Sequence, residues 1–176
     1  MRRRLLCVAA LFAPAASSAQ LPPWNPRAPE NAQLRPAYNV ANVEEVLAAI
    51  GAKAVRASQI PGRPLVSVTF ANGRRAVISL LSCNPEGTAC RALGIQASWV
   101  IPAGAPPARL ASGIETFNRR YSFAKAFVSA NGRATLQRYL TGDYGHLRGD
   151  LAVNLQVFSA QADRFMNDVI RPLARP

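Results

Sequence analysis

The sequence predicts an α+β domain, an antiparallel sheet of about five to six strands with three helices laid on it. Three observations predict this. Two Asn-Gly pairs, Asn72-Gly73 and Asn131-Gly132, each separate two short apolar runs. Such turns join antiparallel strands, because parallel neighbours need a crossover of a dozen residues or more. Three other stretches repeat apolar residues every three or four positions, the spacing of one helix face. The predicted order is helix, about four strands, helix, two strands, helix.

In chain order, Gln20 to Arg35 holds Pro22, Pro23, Pro26 and Pro29, with Pro36 next. Proline at this density predicts an extended lead over 20–38 with no regular element. Within it, Trp24 either docks on the body or stands exposed. Asn42-Val43-Glu44-Glu45 has the form of a capping box, with Asn42 as N-cap and Glu45 reaching back. Val43, Val46, Leu47 and Ile50 then share one helix face, and Gly51 is a natural stop. Ala54 to Ser58 is a weak first strand. Leu65 to Phe70 is stronger, with Val66, Val68 and Phe70 pointing one way. After the Asn72-Gly73 turn, whose positions both tolerate positive φ, Ala76 to Ser82 returns as a partner strand. That strand is apolar on both faces, which predicts a central place. Leu93, Ile95, Ala97, Trp99 and Ile101 form the core face of a long strand.

Pro102 to Pro107 breaks that strand and opens a helix with Pro107 in its first turn. Leu110, Ile114, Phe117 and Tyr121 make one stripe along it. Arg119 and Arg120 sit near its carboxyl end, where the helix dipole favours cations. Ala124 to Val128 and Ala134 to Leu140 pair across the second Asn-Gly turn. Thr141 to Gly145 is a turn, and a last helix follows from about His146 to Ile170. Leu147, Leu151, Leu155, Phe158, Ala162, Phe165 and Val169 mark its buried face. Pro172 ends it and leaves 172–176 as a tail. The domain thus spans 39–171.

The amino terminus has the three parts of a secretory signal peptide: Arg2-Arg3-Arg4, the apolar run Leu5 to Ala13, and the small residues Ser17-Ser18-Ala19. The apolar run falls far short of the ~20 residues that span a bilayer. Cleavage after Ala19 leaves a chain beginning at Gln20 and predicts a periplasmic or secreted protein. No Cys follows the cut to carry a lipid, and the twin-Arg route is a weaker alternative. The cut removes Cys7 and keeps Cys83 and Cys90, an even pair for an oxidising compartment. The six residues between them are turn formers, so a structural disulfide is the expected state. A metal site or a redox dithiol is the rival reading. The first wants more Cys or His nearby, and the second wants Cys-x-x-Cys.

Taken together, the chain resembles the YbjN family of bacterial sensory transduction regulators. The residues that carry the resemblance are the capped helix at Asn42-Val-Glu-Glu, the Cys83–Cys90 clip ahead of a long strand, the Phe117-Asn118-Arg119-Arg120-Tyr121 helix end, the Phe123–Val128 strand, and a final helix with Asn154 and Phe165. The resemblance covers roughly Asn39 to Ile170. The Tyr144–Arg148 approach departs from the Gly-Gly turn of many members. The resemblance implies a type III secretion chaperone-like domain and a non-enzymatic role. Relatives by fold are dimers that hold partner polypeptides, so a protein partner and a homodimer are expected. No catalytic or ligand residues carry over.

No constellation for catalysis stands out. The one histidine, His146, lies in a turn beside Asp143 and Tyr144, an arrangement that suits a helix start. No cofactor-binding motif and no metal-ligand cluster are found. The 21 basic residues against 9 acidic ones give a formal charge of +12. Nineteen of the 21 are Arg, a bias that a GC-rich genome produces without selection for anion binding. The charge still attracts anionic surfaces weakly and in a salt-dependent way. Arg74, Arg75, Arg91, Arg133 and Arg138 come from neighbouring strands and turns, and anion binding requires them to gather on one face. The export signal argues against nucleic acid as the partner. Three readings remain: a periplasmic interaction or regulatory module, a binder of anionic polymer or membrane surface, and an enzyme with a polar pocket at His146 or Asp143.

Overall fold

The computed structural model describes residues 24–56 and 62–174 of the chain. The expected signal peptide, its cut after Ala19, the start of the lead and the end of the first strand at Ser58 lie outside these residues.

Strands β2 (Lys53–Arg56), β3 (Leu65–Thr69), β4 (Arg75–Cys83), β5 (Cys90–Val100), β6 (Lys125–Val128) and β7 (Arg133–Thr141) form one sheet in the order β2-β3-β4-β5-β7-β6. Every neighbouring pair is antiparallel. Helices α1 (Val40–Ala49), α2 (Pro107–Arg120) and α3 (Arg148–Phe165) pack on one face of it. The α+β class and the three-helix order are as the sequence predicts.

Side chains alternate across a strand, so a one-sided helix layer leaves an alternating burial pattern. Along β4, Ala76, Ile78 and Leu80 are buried, while Arg75, Val77 and Ser82 are exposed. The strand is central, as expected, but only one of its faces is covered. The core stacks Val66, Ile78, Leu93, Ile95 and Leu136 of the sheet under Leu151, Leu155 and Phe158 of α3. Phe165 closes one end, edge-on to Phe117 and tilted against Trp99, each ring centre 5.1 Å away.

Both Asn-Gly hairpins close in the same way, and not in the expected one. Phe70 N–H donates to the Arg74 carbonyl and Gly73 N–H to the Phe70 carbonyl. Ser129, Arg133 and Gly132 repeat the pattern. Gly73 and Gly132 take positive φ, whereas Ser82 is the only non-glycine residue among those described that does. Each loop is therefore a type I turn followed by a left-handed glycine, and Asn72 and Asn131 stay out of the left-handed region. Asn72 instead accepts from Arg74 N–H and donates to the Ser159 carbonyl of α3.

The cap of α1 is Asn39, whose side chain accepts from Asn42 N–H at 2.8 Å. Asn42 is thus the third helical residue rather than the N-cap. The capping box fails because Glu45 then falls a turn too late to reach the free amides. Glu45 instead pairs with Arg148 at 2.8 Å and Arg35 at 3.2 Å. Gly51 ends the helix as expected, with φ 73°.

The lead is more ordered than proline content suggested. It holds a 3₁₀ turn, Pro29–Ala32, and a strand, β1 (Leu34–Arg35), that pairs with β8 (His146–Leu147) in a second, two-stranded sheet. His146 and Leu147 are therefore strand residues, and the last helix starts at Arg148. Tertiary pairing overrides a helical pattern that reads correctly from Leu151 on. Arg148, 8% exposed, donates to Asn31 Oδ1 at 2.7 Å and to Glu45, and stands 5.7 Å from the Trp24 ring centre. Trp24 docks against the body. The lead comes so close that a methyl group at Gly142 would lie 2.6 Å from the Tyr38 ring.

Met166–Ile170 is a π-helical segment after α3, and Arg171–Leu173 adds one more turn, α4. Pro172 lies inside that turn instead of ending the helix. After the π segment the hydrogen-bond ladder restarts, so Pro172 stands in a first turn where no amide is needed.

The edge strand β6 is closed by a side chain. Asn118, near the end of α2, donates to the Ala126 carbonyl at 2.9 Å and accepts from Ala126 N–H at 2.8 Å. It occupies both outward backbone groups of Ala126, which an added strand would otherwise use. Asn118→Ala leaves both without protein partners and lowers stability by about 2 kcal/mol. A chemical-denaturation midpoint unchanged by that substitution would mean that water satisfies β6 equally well.

Candidate interaction surface

The face of the sheet opposite the helices is open among the described residues. Its pattern follows from register. Lys53 pairs with Thr69 and Thr69 with Arg75, so two cations lie in one row, two strands apart. That separation is roughly 10 Å at 4.8 Å per strand. The next row across the same strands is Val55, Ser67, Val77 and Gln96. Val55 is 67% exposed and Val77 39%. A concavity of about 780 Å³ runs over β2 to β5 and ends at Arg133. None of its lining residues is acidic or aromatic. Lys53 and Arg75 have no ion-pair partner among the described residues.

The five arginines expected to gather do not do so. Arg75 and Arg133 line the concavity, and Arg133 also donates to the Ser98 carbonyl at 3.3 Å. Arg74 turns to the helix side and pairs with Asp163 at 2.7 Å. Arg138 is on the helix side too, where it donates to the Phe123 carbonyl at 2.7 Å and stacks 4.1 Å from the Phe123 ring centre. Arg91 lines a separate opening by the Cys83–Cys90 clip, with Pro36, Ala37 and Asp143. A hairpin places adjacent residues on opposite faces, which splits Arg74 from Arg75. Sequence reasoning missed Lys53 and Val55. The alternation Lys53-Ala54-Val55 was the available signal, but a strand of four residues carries it faintly.

A third opening, about 320 Å³, lies between α2 and the carboxyl-terminal turns. Phe117, Tyr121, Val169 and Leu173 form its floor, with Arg120 and Asp168 beside it. Arg119, the other half of the helix-end pair, bridges to Glu115 on the surface at 3.4 Å.

Cys83 and Cys90 are bonded and directly paired across β4 and β5. The loop between them is ordered by Asn84, whose Oδ1 accepts from the Thr88 and Ala89 amides. Among the described residues no group of His, Cys, Asp and Glu could hold a metal ion.

His146 is 8% exposed and stacks flat on Tyr38, ring centres 4.1 Å apart. Asp143 lines the opening by the clip. Burial, helped by the Arg35 charge, holds the His146 pKa below its ordinary 6.5, with Asp150 pulling the other way. Burial and the Asp150 charge push the Tyr38 hydroxyl up to about 12. Burial of His146 makes stability depend on pH. Below the unfolded value of about 6.5 the unfolded chain takes a proton that the folded chain resists. Its stabilising contribution is complete above that pH and is lost as pH falls through the lower folded value. Stability therefore drops on acidification below about pH 6.5, and His146→Phe removes that step. Denaturation midpoints of both proteins between neutral pH and the carboxylate range give the check. Parallel curves would assign the acid limb to carboxylates.

The YbjN family model, described as "Putative bacterial sensory transduction regulator", matches residues 39–171. The chain belongs to the YbjN family. No curated protein matches it. The YbjN description is that of a regulator and names no reaction. In this YbjN chain the Phe117–Val128 segment, one of those that carry the resemblance, is structural. Phe117 is core, Asn118 closes β6, and Tyr121 packs on Phe117 at 4.8 Å. The YbjN match begins at Asn39, the residue that caps α1.

Proposed function

We propose that this YbjN protein is an exported, non-enzymatic interaction or regulatory module of the periplasm, chaperone-like in holding a partner polypeptide. One observation carries the reading: a six-stranded sheet covered by helices on one side presents Val55 and Val77 on the other. Exposed apolar side chains gathered in a concavity mark a contact surface. The signal-peptide pattern at residues 1–19 and the Cys83–Cys90 disulfide support the compartment. Among the described residues no helix is long and apolar enough to cross a membrane. The family's regulatory description supports binding over catalysis.

A second reading, contact with an anionic polymer or membrane surface, is favoured by Lys53, Arg75 and Arg133 on that same concave face. The test is a crosslinking pull-down of the Gln20–Pro176 chain from its own cell envelope, at low and high salt. A specific protein recovered at both salts supports the module. Recovery of acidic polymer or lipid alone, lost at high salt, overturns it in favour of the charge.

A further inference from the structure

We propose that the open sheet face binds an extended acidic segment of another protein, one with an apolar residue two positions from a carboxylate. This rests on the interaction reading above and names the chemistry of the occupant. Lys53 and Arg75 share a row, Arg133 bounds the same concavity, and among the described residues no acidic one lines it. These cations call for an anionic partner. Along β2 and β4 the apolar row, Val55 and Val77, stands two residues from the cationic row, Lys53 and Arg75. Two strand residues advance roughly 6.6 Å. A segment laid along these strands presents its own positions i and i+2 to the face at the same spacing. A carboxylate at i then meets the cations while an apolar side chain at i+2 meets the valines.

Other occupants fit less well. A second copy brings the same cations to the face. The chain's own amino terminus carries Arg2, Arg3 and Arg4, and residues 1–23 contain no acidic residue. Single-stranded nucleic acid needs aromatic side chains for stacking, and the concavity has none among the described residues.

The test is amide chemical-shift mapping on isotope-labelled protein purified from the envelope, using a short peptide of Glu-Ser-Val-Ser repeats. The controls are the Lys-Ser-Val-Ser peptide and polyglutamate. Saturable shifts confined to β2, β3 and β4 are expected. The double variant Lys53→Glu/Arg75→Glu, both exposed positions, weakens the acidic peptide about tenfold and gains binding to the Lys peptide. The variant Val77→Ser weakens the acidic peptide without affecting polyglutamate. Equal binding of polyglutamate and the repeat peptide would overturn the proposal and leave a bare anion surface. Shifts elsewhere, or none, would also overturn it. An envelope partner whose crosslinking survives Lys53→Glu/Arg75→Glu would overturn this face while leaving the interaction module standing. Peptide binding at the face with no envelope partner recovered would support the face and count against the module.

Discussion

Phe165→Ala is expected to lower the stability of the folded chain by about 4 kcal/mol. The side chain is fully buried, and it joins three elements that are distant in sequence: Phe117 of α2, Trp99 of β5 and the end of α3. Truncation removes both ring contacts and leaves a cavity between two other aromatic rings, which have little freedom to collapse into it. The site also lies where the regular ladder of α3 gives way to the π segment. The loosened helix end should therefore show in hydrogen exchange of Val169 and Ile170 before the rest of the domain opens. Phe165→Leu keeps most of the volume and costs under about 1.5 kcal/mol. Denaturant titration of the three proteins decides it. An Ala variant within 1 kcal/mol or so of the parent would mean that α2 closes onto β5 without this ring, against the cost expected of buried aromatics.

Loss of the disulfide ranks second. In the loop-entropy account, closing the eight residues from Cys83 to Cys90 is worth about 2.5 kcal/mol. The position adds a consequence. The Cys90 carbonyl accepts from Tyr38 N–H, and Cys90 N–H donates to the Tyr38 carbonyl, both at 2.9 Å. The staple thus holds the strand end on which the lead is bonded. The Cys83→Ser/Cys90→Ser protein should unfold at lower denaturant, and its Tyr38 amide should exchange faster than amides in β3. Reductant should destabilise the parent by the same amount and leave the double variant unchanged. A parent whose midpoint does not move when both thiols are shown to be free would remove the staple from the account.

Much of the sheet was legible because the core is one-sided. Val66, Val68, Ile78 and Ala97 alternate with more exposed neighbours, and a period of two fixes which residues face inward. The α2 stripe was legible for the same reason at a period of 3.6, with Leu110 and Phe117 buried. Elements without such a period were not. β1 and β8 are two residues each, too short to show any alternation, and they exist because Leu34 and Arg35 meet Leu147 and His146 across the fold. The cap of α1 was misplaced because Asn39 and Asn42 are equally good caps in isolation. Only the docking of Tyr38 onto Cys90, immediately before Asn39, selects the first.

The candidate surface divides along the same line. That strands would be paired by tight turns, that helices would lie on the sheet, and that Cys83 would meet Cys90 follow from local chemistry within a few residues. Whether an arginine faces solvent, a carboxylate or a carbonyl depends on its neighbours across strands. Arg74 and Arg75 are adjacent, yet Asp163 holds the first and the second stands open beside Thr69. The sequence by itself determined the class of the fold, its buried face and its staple, because burial periodicity and loop closure are short-range. The tertiary structure alone decided which cations gather beside Val55 and Val77, because that depends on register between strands far apart in the chain.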